Sequence, residues 1–109
     1  MKYKEYRKYV SEKSAELERY AEILLVMEGA TVDNLAFAEA YVNFLTLKLE
    51  CLRVVTRYYN EMYANSFWFM KPKVAKRIRA IGIEHSITLH NLLNATMYKD
   101  YQQKKLNND

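Results

Sequence analysis

Between Leu35 and Tyr63 the apolar positions form two series on one stretch of chain. Leu35, Ala38, Val42, Leu45, Leu49, Leu52, Thr56, Tyr59 and Tyr63 step by three and four residues, the a/d rhythm of packed helices. Phe37, Tyr41, Phe44, Lys48, Cys51, Val55, Tyr58 and Met62 repeat the rhythm. At about 100° per residue the two seams lie about 110° apart around a helix. A helix apolar over so much of its circumference requires neighbours on at least two sides.

The flanking segments supply those neighbours. Tyr3, Tyr6, Val10, Lys13, Leu17, Tyr20, Leu24 and Met27 carry the same spacing, with Lys13 as the polar interruption. Gly29 is placed to end that helix. Thr31 is positioned as the N-cap of the next, with Asp33 in its first turn. Pro72 suits the first turn of a third helix. The core face of that helix reads Val74, Ile78, Ile81, His85, Thr88, Leu92 and Ala95. The pattern predicts an all-α, up-down-up bundle of three long helices, at about 2–28, 32–65 and 72–100, with coiled-coil-like packing.

Composition agrees. The chain has two glycines and one proline in 109 residues, where average usage is about 7% and 5%. Turns are therefore few and helices long. One domain is expected over residues 1–101, with 102–109 a flexible polar tail. A monomeric bundle asks each helix for one apolar stripe. Helix 2 carries two, and helix 3 adds a second face through Ile83, Ile87, Met97 and Tyr101. The surplus predicts a homo-oligomer, dimer or higher, with Phe37, Tyr41, Phe44, Val55, Tyr58 and Met62 at its interface.

Charge is distributed unevenly. The net charge is +4, and the excess lies in the third helix and its approach. Folding up-down-up gathers Lys2, Lys4, Arg7, Lys8, Arg53, Arg57, Lys71, Lys73, Lys76, Arg77 and Arg79 at one pole, against Glu5, Glu12 and Glu61. Glu16, Glu18, Glu22, Glu28, Asp33, Glu39 and Glu84 are assigned to the other. Helix N-termini favour anions, yet helices 1 and 3 both open with cations, which destabilises them. Such a cost is explained by a negatively charged partner at that pole. Phe67, Trp68 and Phe69 directly precede the basic run. Either they plug the end of the core, or Trp68 and its neighbours offer rings to exposed bases while the cations meet phosphates.

Catalytic and metal chemistry find no support. His85 and His90 are five apart and point in different directions. His85 falls on the core face, where a hydrogen-bonded structural histidine is expected. Ser86 and His90 have no carboxylate one turn further on to complete a triad. Asn94-Ala-Thr96 matches a glycosylation sequon, read as chance without a secretory signal. Cys51, the single cysteine, sits on an apolar seam as a small buried hydrophobe. No cofactor or metal is expected, no segment approaches a membrane span, and a cytoplasmic location is expected. The reading is a non-enzymatic, oligomeric helical protein whose basic pole binds nucleic acid without sequence specificity. An acidic protein surface is the other candidate partner for that pole. The alternative is an interaction module, an accessory adaptor or inhibitor that docks on a larger protein through its second apolar seam.

Overall fold

A computed structural model describes residues 1–29 and 33–108 as three helices: α1 (Tyr3–Gly29), α2 (Asn34–Asn65) and α3 (Lys71–Asn108). The predicted all-α architecture and helix order are what the chain adopts. Tyr6 meets Tyr58 and Tyr59 of α2, while Arg77 meets Tyr59 and Glu84 meets Lys48. Both interfaces are therefore antiparallel.

Local chemistry sets the helix ends. Asp33, not a first-turn residue as expected, is the N-cap of α2, and its carboxylate accepts from the Leu35 N–H at 3.0 Å. The Thr31 cap lies outside the described residues. Gly29 is the last residue of α1, and no described glycine adopts a positive φ, so the glycine cap expected just past the helix is not used. α3 does not stop near residue 100 but continues to Asn108. Gln102, Gln103, Lys104, Lys105 and Leu106 are all good helix formers with no breaker among them. That continuation carries Lys104 and Lys105 towards the end assigned to acidic residues. Glu84, assigned to that end as well, lies mid-molecule with Lys48. The charge asymmetry therefore resides in the basic pole more than in an acidic counterpart.

α2 is the shared helix. Its first seam supplies Ala38, Leu45 and Leu49 to the core, and α3, which packs on it most extensively, supplies Val74, Thr88 and Ala95. Thr88 is 1% exposed, and its hydroxyl is satisfied by the Glu84 carbonyl at 2.8 Å. Thr46, Thr56 and Thr96 bond back to their own helices in the same way. Leu24 is the buried residue of α1. The two lysines that interrupt apolar seams have partners. Lys48 reaches Glu84 across to α3 at 2.7 Å, and Lys13 reaches Glu16 at 3.2 Å.

α1 packs on α2 alone, because among the described residues no α1 Cα comes within 8 Å of one in α3. The result is an extended molecule of 61 × 23 × 20 Å. Its radius of gyration is 17.6 Å, against about 13 Å for a compact chain of this length.

Candidate nucleic-acid interface

The turn between α2 and α3 lies at one end of the molecule and is held by hydrogen bonds. The Asn65 side chain donates to the Glu61 carbonyl at 3.0 Å, and the Ser66 hydroxyl donates to the Met62 carbonyl. With the Ser66 N–H donating to the Tyr63 carbonyl at 3.3 Å, Ser66 satisfies two of the carbonyls that the helix end leaves open, those of Met62 and Tyr63. The Phe67 carbonyl accepts from both the Met70 N–H, at 2.9 Å, and the Lys71 N–H, at 3.2 Å. The polar backbone of the turn is thus closed on itself.

Its side chains are left outside. Val74 is the first buried residue of α3, and the Lys71 ammonium sits 4.9 Å over the Tyr63 ring beside it. Phe67, Trp68, Phe69 and Met70 face solvent, with Phe67 73% and Trp68 82% exposed. The plug expected of these rings is not formed. Phe67 and Phe69 stack on each other with centroids 5.7 Å apart, and Trp68 meets Phe69 edge-on at 5.9 Å. The outward face of Trp68 has no protein partner among the described aromatic contacts.

Below the tip a tyrosine cluster joins the three helices. Tyr6 of α1 stacks on Tyr58 of α2 at 3.8 Å. Tyr59 stands edge-on to both, and the Arg77 guanidinium of α3 lies 5.8 Å over the Tyr59 ring. Burial, reinforced by the neighbouring phenols, pushes the Tyr6 hydroxyl above its ordinary value, and burial does the same for Tyr58. The cluster fixes the start of α1 beside the α2–α3 turn, and so brings the N-terminal cations to the pole. Sequence spacing placed Tyr6 and Tyr59 on seams but had no signal for their stacking with Tyr58 and Arg77.

The predicted cations are arranged around this scaffold. Lys2, Lys4, Arg7, Lys8, Arg57, Lys73, Lys76 and Arg77 are exposed, and Lys71 is half-buried over its ring. Among the described residues none of them forms an ion pair. Glu61, a carboxylate at that pole, is held by the N-terminal ammonium at 3.2 Å. Two predicted members stand apart. Arg53 lines the α2–α3 crevice with Thr56, Gly82 and His85, and Arg79 lines a depression on the outer side of α3.

The second seam of α2 is half-buried throughout: Phe37, Tyr41, Phe44, Val55, Tyr58 and Met62. Tyr58 is engaged by Tyr6. Val55 lines an apolar cleft of about 180 Å³ between α1 and α2 with Tyr9, Val10, Leu17 and Cys51. The Cys51 thiol lies there beside the Tyr9 hydroxyl, and burial pushes both groups up, away from a reactive thiolate. His85 is half-buried, and no side-chain hydrogen bond holds it among the described residues, contrary to expectation. Its nitrogens retain access to water, since among the described residues no buried polar side-chain atom lacks a partner. His90 points outwards, with Nε2 3.2 Å from the Asn94 amide nitrogen. No group of three metal-ligating side chains occurs among the described residues, and no described helix is long and apolar enough to cross a membrane.

No protein-family model, no curated protein and no solved structure matches this chain.

Proposed function

We propose that the basic pole binds nucleic acid without base-sequence specificity, its cations meeting phosphates and its tip rings stacking on exposed bases. The observation that carries this reading is a set of unpaired cations around three exposed rings on a hydrogen-bonded turn. Exposed cations are common over the whole surface, but among the described residues only at this turn do they stand beside three consecutive exposed aromatic rings, Phe67, Trp68 and Phe69. Phosphate contacts supply affinity for any sequence, and a base stacked on a ring contributes about 1–3 kcal/mol whatever its identity. The preformed turn avoids an ordering penalty on binding. A helix that reads base edges is not part of this reading, because the pole presents a turn and helix ends.

Trp68 is the only tryptophan in the chain, so its fluorescence reports on the tip alone. Titration with single-stranded oligonucleotides at low salt should quench it, with anisotropy of a labelled strand rising in parallel. Raising the salt should release the strand along a log–log slope of about −0.7 per phosphate contacted. Absence of both signals at 50 mM salt refutes the reading. So does a Trp68 blue shift on anionic vesicles with no response to oligonucleotides, which would make the rings an interfacial lipid anchor.

A further inference from the structure

We propose that the outer face of α3 is the seam of an antiparallel homodimer, centred near residue 92. Ile83, Ile87, His90, Asn94, Met97 and Tyr101 step by four and three along α3. At about 100° per residue they lie opposite Val74 and Leu92, which face α2. All six are exposed, Ile83 at 63% and Met97 at 69%. This is an a/d repeat with nothing packed on it in the single chain.

The area available fits a second copy. The chain exposes 8174 Å², where a folded monomer of 13.0 kDa exposes about 6,300 Å². The surplus is more than twice the ~800 Å² that a standard dimer takes from each partner.

The order of residues along the seam specifies how the copies meet. Two apolar positions, the hydrogen-bonded His90–Asn94 pair and two further apolar positions read the same from either end. Pairing about residue 92 sets His90 against the partner's Asn94, Ile87 against the partner's Met97 and Ile83 against the partner's Tyr101. A shift by one heptad would bury a polar side chain against Ile or Met, so the central pair fixes the register. Parallel pairing would also set like against like. It would, however, align the helix dipoles and set Lys76 and Arg79 of one copy on the same residues of the other, whereas the antiparallel register brings only Arg79 towards a like charge, the partner's Lys105.

Gly82 supports the same register. It sits inside a 38-residue helix, where glycine is unfavourable by about 1 kcal/mol against alanine. A Cβ there would meet nothing within 4 Å, so packing within the chain does not require it. With Ser86 it floors the depression bounded by Arg79, Ile83 and Ile87. In the proposed register that depression receives the partner's Tyr101 ring. The two aromatic tips then point away from each other, about 60 Å apart at 1.5 Å per residue.

Light scattering on the purified chain at 50 µM is expected to give twice the 13.0 kDa chain mass. The double variant Ile87→Glu/Met97→Glu should halve that mass with helicity retained, since both side chains are exposed in the chain. Val26→Glu, at an equally exposed apolar site on α1, should leave the dimer intact. In a Cys51→Ala background, Ile83→Cys chains should cross-link to Tyr101→Cys chains and not to themselves. A monomeric wild type overturns the proposal, as does a dimer that survives the double variant or yields instead to Phe44→Glu. Self-cross-linking of Ile83→Cys overturns the antiparallel register.

Discussion

Lys73 occupies the first turn of α3, where the exposed N–H groups of the helix carry partial positive charge, and among the described residues no carboxylate pairs with it. Lys73→Gln removes a unit charge from that position without touching the core, because Val74 is the buried neighbour. Charges near a helix end contribute about 0.3–1 kcal/mol, so the variant should be more stable by that amount at low salt. For a domain of this size the melting temperature should rise by roughly 2–6 °C. Arg77→Gln provides the contrast. Its guanidinium lies 5.8 Å over the Tyr59 ring and a turn further along the helix. The variant gains little from the macrodipole and loses a cation–π contact of about 0.5–1 kcal/mol. It should melt lower. Circular dichroism melts at 20 mM and 1 M salt separate these effects. The Lys73 gain should vanish at 1 M, where the Debye length is about 3 Å. Both variants should bind oligonucleotides more weakly and lower the salt slope by about one phosphate each. If Lys73→Gln melts lower at low salt, or its gain persists at 1 M, the cation is not opposing the helix end and the reading of the pole as charge held for a partner fails.

Trp68→Ala should leave the melting temperature within experimental error and weaken single-strand binding roughly five- to 150-fold, from about 1–3 kcal/mol per stacked base. Unchanged affinity in an anisotropy titration would remove the rings from the interface. Leu45→Ala, at a 3% exposed position facing α3, should cost about 2–5 kcal/mol in urea denaturation; a loss under 1 kcal/mol would show that the α2–α3 seam is not the main core. Burial raises Cys51, Tyr6, Tyr9 and Tyr58 above their ordinary values of 9.0 and 10.0. An acid raised on folding contributes stability below its unfolded value and loses it as pH rises through the folded one. Melting temperature should therefore hold from pH 6 to 8 and fall above about pH 9, and a rise between pH 9 and 10 would refute the burial assigned to these groups.

The helices were legible because their apolar spacing is regular and the chain has almost no glycine or proline to interrupt it. Lys48 and Lys13 broke seams in the sequence, yet each finds a carboxylate. Glu16 lies three residues from Lys13 on the same helix, a spacing the sequence shows, whereas Glu84 reaches Lys48 from α3, which periodicity alone could not indicate. The ends were read less well. Competition between Thr31 and Asp33 for the cap is decided by backbone geometry, and the polar 102–108 stretch stays helical because polarity alone does not break a helix. Burial of Phe67–Phe69 depended on whether the turn directs its rings inwards, and the bonds to the Phe67 carbonyl direct them out. The surplus apolar surface was visible in composition. Its location was not, because the second seam of α2 and the outer face of α3 look alike until α1 is placed over one of them.

That α1 leans on α2 alone has a consequence for how the molecule opens. Elements with fewer packed neighbours exchange their amide protons through local events, well below the cost of global unfolding. The α2–α3 hairpin carries six of the seven buried residues among those described and is expected to open as one unit. α1 contributes Leu24 alone, is tied to α2 at one end by the Tyr6–Tyr58 stack, and is expected to open first. Lifting α1 would uncover the α2 side of the cleft the two helices share, Cys51, Leu52 and Val55, together with Tyr58. The chain therefore covers this apolar strip of α2 with a helix of its own.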